Sequence, residues 1–194
     1  MQDRIRVLGS ELLSDDRYIL RKTRFEYRRR DGRWQTLTRE TYDRGNGAAI
    51  LLIEPRQRTV VLVRQFRFPA YANGHSGELV EVPAGMIDEG SPEETIRREA
   101  EEEVGLRVGT PRKVFEAFMS PGAVTEKLFF FTAEYDASDR IAEGGGLEAE
   151  GEDIEVLEVP LDEAMAMITR GEIVDAKTIM LLQYARLREL GAAE

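Results

Sequence analysis

Residues 78–106 read ELVEVPAGMIDEGSPEETIRREAEEEVGL, and this stretch decides the fold. Its second half carries the local signals of a helix. Ser91 is a residue type that caps helices, a proline follows it in the first turn, and Glu94 completes a capping box three residues after the serine. Gly105 is typical of a helix C-terminus. The pattern therefore predicts a helix over residues 92–104, preceded by a short strand.

The predicted helix carries a run of glutamates near its end. Glu99, Glu102 and Glu103 are spaced by three and four residues and share one face, whereas Glu101 points elsewhere. Such a run is usually a solvated helix face, which is one interpretation. The other is a divalent cation site, because Mg²⁺ takes hard oxygen ligands and binds one or two carboxylates together with substrate phosphates.

The same stretch resembles the signature of the Nudix hydrolases, which is a glycine, five residues, a glutamate, seven residues and then Arg-Glu-aliphatic-x-Glu-Glu-x-Gly-aliphatic. Here the signature begins at Gly85, and its helical end runs from Arg98 to Leu106. Ser91 stands where the isolated glutamate is expected, and the spacer before Arg98 is one residue shorter than in the family. Ala100 replaces a larger aliphatic residue. Because the family's metal ligands come mainly from the helix, we expect activity to survive these departures.

The resemblance implies a site for Mg²⁺ or Mn²⁺. The expected ligands are the backbone carbonyl of Ala84 and the carboxylates of Glu99, Glu103 and Glu152. Either Glu103 or Glu152 is the expected general base, and the sequence leaves that choice open. Arg98 and Glu102 are expected to support the ligands structurally.

The similarity continues outside the signature, most closely to the branch of the family that acts on nucleoside-diphosphate sugars. Segments at 14–20, 39–52, 60–67, 118–135, 151–160 and 169–182 carry it. By this resemblance, substrate contacts are expected from Arg17, Arg39, Glu40, Arg67, Gly85, Glu126, Gly151 and Lys177. Arg17 stands where a tyrosine can stack on the base, which is a further departure. Without the resemblance, the arginines would be interpreted as solvated strand edges or surface ion pairs.

The order of elements predicts an α/β fold, a Nudix-type α/β/α sandwich with a mixed sheet, plus an N-terminal antiparallel β arm. The arm is predicted over residues 1–44, folded around a two-residue turn at Asp31-Gly32, and the Nudix domain over residues 45–194. Two apolar runs within 48–66 predict central strands covered on both faces. The glycine-rich acidic stretch at 136–153 predicts a long exposed loop, and two helices close the chain.

Charge and composition restrict the partners. With 37 acidic and 27 basic residues the net charge is −10, which repels a nucleic-acid backbone, so we expect no nucleic acid as partner. The sequence has no cysteine, which fits a cytoplasmic protein without disulfides. No stretch approaches the ~20 apolar residues of a membrane span, and no membrane partner is expected.

The residues and the resemblance together predict an enzyme, a magnesium-dependent pyrophosphatase. The expected substrate is a nucleoside-diphosphate sugar, above all GDP-mannose, cleaved to GMP and mannose 1-phosphate. Two alternatives stay open. One is an ADP-ribose pyrophosphatase, and the other, from a different class, is a module that senses nucleotides without cleaving them. The resemblance also implies a homodimer formed through the β arm.

Overall fold

The computed structural model describes residues 4–191, which fall into two compact units. The first unit is Met1–Asn46 with Phe118–Lys127, and the second is Gly47–Ala117 with Leu128–Glu194. Residues 1–3 of the predicted arm and 192–194 of the predicted Nudix domain lie outside the described residues.

The first unit is built on a three-stranded antiparallel sheet, which confirms the predicted arm. Its strands, in the order β1-β2-β3, are β1 (Ile5–Asp15), β2 (Ile19–Arg28) and β3 (Trp34–Asp43). The β2–β3 loop differs from the predicted two-residue turn. The backbone N–H of Arg29 donates to the carbonyl of Arg33, and Gly32 has φ 87°. The hairpin loop therefore has three residues and ends in a left-handed glycine, a common alternative in which the glycine forms a bulge.

The second unit contains a seven-stranded sheet. Its strands are β4 (Gly47–Glu54), β5 (Thr59–Phe66), β6 (Glu78–Glu81), β7 (Ala84–Met86), β8 (Arg112–Phe118), β9 (Lys127–Glu134) and β10 (Glu155–Pro160). The main order is β10-β5-β4-β9-β8, with β6 paired to β5 and β7 paired to β4. Strands β4 and β9 are parallel, whereas β4 and β5 are antiparallel. The predicted mixed sheet is confirmed.

Within residues 4–191, four α-helices accompany this sheet. They are α1 (Phe68–Ala72), α2 (Pro92–Val104), α3 (Leu161–Arg170) and α4 (Ala176–Glu189). Helix α2 therefore has the predicted bounds, and α3 and α4 are the two predicted closing helices. In the part of the chain that the structure describes, no helix is long and apolar enough to cross a membrane.

Strand β4 is buried on both of its faces. Ile50 and Leu52 pack in a core cluster with Ile96 and Val104 of α2. Leu51 points to the opposite face because side chains alternate along a strand, and it is also fully buried. Helices α2 and α4 both contact β4. The continuous apolar run in the sequence is thus explained by a strand covered on both sides, as predicted.

Candidate active site

Helix α2 is held at both ends by its own sequence. The hydroxyl of Ser91 accepts a hydrogen bond from the backbone N–H of Glu94 at 3.2 Å, and the Glu94 carboxylate accepts one from the N–H of Ser91 at 2.8 Å. At the other end, Gly105 adopts φ 66°, a left-handed conformation that terminates the helix. The predicted capping box is confirmed, and Ser91 has a structural use at the position where the family signature has a glutamate.

The glutamates near the end of α2 differ in exposure as the helical period predicts. The side chain of Glu99 is 13% exposed and that of Glu102 is 28% exposed, whereas Glu101 is 45% exposed. Glu103 is the most buried, with 1% of the residue accessible. The guanidinium of Arg98 lies 3.2 Å from a Glu99 oxygen and 3.9 Å from a Glu102 oxygen. Arg98 therefore contacts both glutamates beside it.

Gly85, on β7, lies directly against Glu99. A Cβ atom added at Gly85 would fall 2.1 Å from the Glu99 carboxyl carbon and 2.3 Å from its Oε1 atom. Real Cβ atoms are not found so close to other atoms. The glycine at the start of the signature thus leaves room for the carboxylate of the signature helix.

Glu103 faces the same strand from inside the core. Its Oε2 atom accepts a hydrogen bond from the backbone N–H of Ala84 at 3.2 Å. Burial, together with the nearby charges of Glu99 and Glu152, raises the pKa of Glu103 to about 8, against the opposing effects of the Ala84 N–H and of Arg67. A buried carboxyl repelled by two other carboxylates is a place where a cation would be stabilised.

The acidic stretch at 136–153 is an irregular segment that docks on the end of α2. The backbone N–H of Gly145 donates to the carbonyl of Glu103 at 2.9 Å, and that of Gly146 donates to the carbonyl of Glu102 at 3.1 Å. These bonds satisfy carbonyls that a helix end leaves without partners. A Cβ at Gly144 would lie 2.5 Å from the Glu103 carbonyl oxygen. Glycine is required here because the two backbones approach closely. The segment is exposed, as predicted, but hydrogen bonds hold it against α2.

This docking determines where Glu152 lies. Its Oε2 atom accepts a hydrogen bond from the backbone N–H of Leu147 at 2.9 Å. A Cβ at Gly146 would lie 2.5 Å from the same oxygen. Gly151, the residue before Glu152, has φ 76°, a conformation that favours glycine. Glu152 is therefore positioned by the backbone of its own segment, near enough to Glu103 to affect its pKa.

Two of the predicted substrate-binding cations meet on one buried carboxylate, Glu81 at the end of β6. Arg67 donates from Nε and Nη2 to Glu81 Oε2 at 3.0 and 2.8 Å, and Lys177 donates to Oε1 at 3.0 Å. Gln65 donates to Oε2 at 3.1 Å. Glu81 itself is 3% exposed. We call Glu81, Arg67, Gln65 and Lys177 the Glu81 cluster.

The start of α4 holds Lys177 from the other side. Asp175 caps the helix by accepting from the backbone N–H of Thr178 at 3.0 Å, and its other oxygen lies 3.1 Å from Nζ of Lys177. The hydroxyl of Thr178 accepts from the backbone N–H of Val82 at 2.8 Å, which ties α4 to the residue after Glu81. The side chain of Lys177 is only 12% exposed.

Four predicted substrate-binding residues belong to the first unit. Arg17 and Glu40 are exposed, and Arg39 is exposed with its guanidinium donating to the carbonyl of Thr38 at 2.8 Å. Glu126 is half-buried, with an oxygen 3.4 Å from Nε of Arg44. Their contribution to a substrate site stays a prediction.

Two family models together match nearly all of the described chain. Residues 4–42 match the GDP-mannose pyrophosphatase NudK N-terminal domain, and residues 43–182 match the NUDIX domain. The second match covers more than half of the sequence.

The chain belongs to the Nudix family.

Curated Nudix relatives resemble the whole chain. A GDP-mannose pyrophosphatase of Pectobacterium atrosepticum is 53% identical, with 97% of each chain covered. The enzyme of the same name from Citrobacter koseri is 51% identical over 95% of this chain and 96% of its own, and that from Escherichia coli O1:K1 is 48% identical over 98% and 99%. The predicted family and branch are confirmed.

A solved structure confirms the predicted Nudix-type fold. A crystal structure of an ADP compounds hydrolase superposes with a TM-score of 0.73 over 98% of this chain and 97% of its own. Its sequence is only 20% identical. The similarity therefore extends over both the N-terminal sheet and the Nudix domain at the level of fold.

Nudix hydrolases generally use divalent metal ions, and the chemistry of this site fits one. Among residues 4–191, no three acidic or histidine side chains are already gathered around a common point. However, Glu99 and Glu152 are close enough to Glu103 for their charges to raise its pKa. Each carboxylate is held by another group, namely Arg98, the Ala84 N–H and the Leu147 N–H. Hard oxygen donors with unbalanced negative charge are what a divalent cation requires.

Sequence reasoning missed Glu81, Gln65 and Asp175. Glu81 is the most informative of the three because it is an acid between the buried residues Val80 and Val82. A buried carboxylate requires a cationic partner, so the pattern predicts that a cation lies nearby but not which one.

Proposed function

We propose that this chain hydrolyses the diphosphate bridge of a nucleoside-diphosphate sugar, with GDP-mannose as the preferred substrate and Mg²⁺ as the metal. GMP and mannose 1-phosphate are the expected products. The proposal depends above all on the buried Glu103, which lies beside Ala84 of β7 and is repelled by Glu99 and Glu152. The name shared by the curated relatives supports the choice of substrate.

The reaction is an attack of water on one phosphorus of the bridge. A new P–O bond forms, the bridging P–O bond breaks, and the departing phosphate keeps the bridging oxygen. Either Glu103 or Glu152 takes the proton from water. The Ala84 carbonyl and the carboxylates of Glu99, Glu103 and Glu152 would hold the metal. When bound, a divalent cation neutralises phosphate charge and lowers the pKa of water.

The other residues of the chain bind and orient. Arg98 fixes Glu99, and Glu102 shares the same guanidinium. Arg67 and Lys177 contact the phosphates, since each is a cation held at the site with part of its donor set still available. We assign the remaining substrate contacts to Arg17, Arg39, Glu40, Gly85, Glu126 and Gly151.

The protein is proposed to act as a cytoplasmic homodimer that pairs through the β arm. Strand β1 is an edge strand of the three-stranded sheet. Four of its apolar residues are about half exposed or more, namely Ile5 (53%), Val7 (67%), Leu8 (51%) and Leu12 (48%). An uncovered edge with apolar side chains is a surface that proteins usually protect by pairing.

The test is phosphate release through a coupled phosphatase from GDP-mannose, ADP-ribose, UDP-glucose and GTP, with Mg²⁺, with Mn²⁺ and with a chelator. We expect turnover that requires metal and is fastest with GDP-mannose. Turnover that is fastest with ADP-ribose would keep the mechanism and change the substrate. A chain that binds these nucleotides without cleaving any would instead be a sensor.

A substitution tests the role of Glu103 directly. Glu103→Gln removes the charge from the buried position and should lower kcat at least about 100-fold, the scale of acid–base catalysis. Glu101→Gln is the matched control, because Glu101 lies on the same helix with a side chain 45% exposed. Equal activity of the two variants would contradict the mechanism.

A further inference from the structure

Glu81 has no assigned role in the site, yet it is the residue through which the two phosphate-binding cations are connected. It is 3% exposed, and both of its oxygens accept hydrogen bonds from cations. Burying a carboxylate costs free energy unless it is paired and hydrogen-bonded, and here the pairing is complete. A buried carboxylate that pairs with two candidate substrate-binding cations is therefore expected to have a role in the site.

The geometry of Arg67 leaves part of its donor set free. Its Nε and Nη2 atoms both donate to Oε2 of Glu81, so this edge of the guanidinium is used by the protein. A guanidinium carries five N–H donors in a fixed plane. Fixing one edge therefore also fixes the direction in which the Nη1 donors point. The charge of Arg67 is also close enough to Glu103 to lower the pKa of that carboxyl.

Lys177 is held in a comparable way by two carboxylates. Its Nζ atom lies 3.0 Å from Glu81 and 3.1 Å from Asp175. An ammonium has three donors, and the hydrogen bond to Glu81 uses one of them. A lysine on its own is a flexible point charge that loses rotamer entropy on binding a ligand. Two carboxylates restrict its side chain before any ligand arrives.

We propose that Glu81 is a positioning residue that holds Arg67 and Lys177 in place for the two phosphates of the substrate. The proposal rests on the proposed function and deepens it. Glu81 itself contacts no substrate. It orders two cations that come from β5–α1 and from α4, so that the phosphates meet a preformed pair of donors. Preorganised donors lower the entropic cost of binding.

The test uses the full chain and the variant Glu81→Gln, which keeps the shape of the side chain and removes its charge. We expect KM for GDP-mannose to rise about tenfold, the effect of a change of 1.4 kcal/mol, with kcat within about threefold of the parent. A purely structural role would instead lower the amount of folded enzyme, which reduces the apparent kcat and leaves KM unchanged.

Glu189→Gln is the matched control. Glu189 also pairs with two cations, Arg58 at 2.9 Å and Arg186 at 3.0 Å, and neither is a candidate site residue. It should leave both constants unchanged. Because Glu81 acts partly through Lys177, Glu81→Gln should raise KM by a smaller factor in the Lys177→Met variant than in the parent. Fully additive effects, or an unchanged KM in Glu81→Gln, overturn the proposal.

Calorimetric binding of GDP in the presence of Mg²⁺ separates this proposal from the proposed function, because it requires no turnover. If the parent binds GDP but cleaves no nucleotide sugar, the function is wrong. The positioning role then stands if Glu81→Gln weakens GDP binding about tenfold. Equal or tighter binding overturns it. A parent that neither cleaves these substrates nor binds GDP contradicts both.

Discussion

The three glutamates on one face of α2 occupy different environments. Glu103 is buried against the N–H of Ala84, Glu99 lies against Gly85, and Glu102 shares Arg98 with Glu99. Equal substitutions should therefore have unequal effects. The environment of each residue, and not its charge alone, determines what it contributes.

The contact between Gly85 and Glu99 predicts the effect of adding a single methyl group. Gly85→Ala would place a Cβ 2.1 Å from the Glu99 carboxyl carbon, so the carboxylate must move. We expect kcat/KM to fall at least about tenfold, since one displaced ligand changes a site of fixed geometry, and the metal affinity to fall with it. Steady-state kinetics at several Mg²⁺ concentrations measure both.

Gly109→Ala is the control for this change, because a Cβ at Gly109 meets no atom within 4 Å. It should leave both kinetics and metal affinity as in the parent. If Gly85→Ala behaves like Gly109→Ala, the close approach to Glu99 has no functional importance.

The raised pKa of Glu103 predicts how the stability of the metal-free protein depends on pH. The pKa is about 8 in the folded state against an ordinary value of 4.5, so the folded state binds this proton more tightly than the unfolded state does. The resulting stabilisation is complete below pH about 4.5 and is lost as the pH rises through about 8. Its size is a few kcal/mol at most, at about 1.4 kcal/mol per unit of pKa shift.

Urea unfolding in a chelator at pH 5 to 8 measures this contribution. Glu103→Gln lacks the titrating group, so the free energy of unfolding should fall more steeply with pH in the parent than in the variant. Taking the difference removes the contribution of the groups that do not interact with Glu103. Parallel pH profiles would show that Glu103 titrates normally.

At the scale of elements, α2 depends on the signals at its ends. Its capping box joins Ser91 and Glu94, and Gly144, Gly145 and Gly146 approach its last turn. The first end is fixed by local contacts alone, whereas the second, ended locally by Gly105, also accepts hydrogen bonds from a segment that lies some forty residues further on. The helix end that carries the glutamates is therefore the one that tertiary contacts reinforce.

The capping box can be tested separately from catalysis. Ser91→Ala should lower the free energy of unfolding by about 1 kcal/mol, the usual cost of losing an N-cap. Kinetic constants well below the melting temperature should not change, since the glutamates lie at the opposite end of α2. Ser91→Asp retains an acceptor and should retain stability. A large loss of activity in Ser91→Ala without a loss of stability would contradict this assignment.

At the scale of the whole molecule, the proposed role of the β arm is to form the homodimer. If β1 pairs with a second copy, charges placed among its apolar side chains should prevent it. We expect Leu8→Lys combined with Leu12→Lys to convert the dimer to a monomer in light scattering, with an unchanged circular dichroism spectrum. Ser14→Lys adds charge to the same exposed strand without removing an apolar group, and it should remain a dimer. A monomeric parent would refute the dimer itself.

The sequence by itself determined the features that depend on near neighbours. The capping box, the bounds of α2, the central strands and the shared face of Glu99, Glu102 and Glu103 were all predicted correctly. Capping and hydrophobic periodicity act within a few residues, so they can be recognised without a fold. The family resemblance supplied the rest of the predicted site, and its residue roles stay predictions.

Only the tertiary structure decided which side chains are buried and which partners they find. Lys177 and Glu81 are 96 residues apart in the sequence, yet they form a buried ion pair. The raised pKa of Glu103 likewise depends on Glu152, which reaches it through a docked glycine-rich segment. Burial and charge interactions are properties of the packed chain as a whole. A residue's neighbours in space, and not those in sequence, determine its charge state and its role.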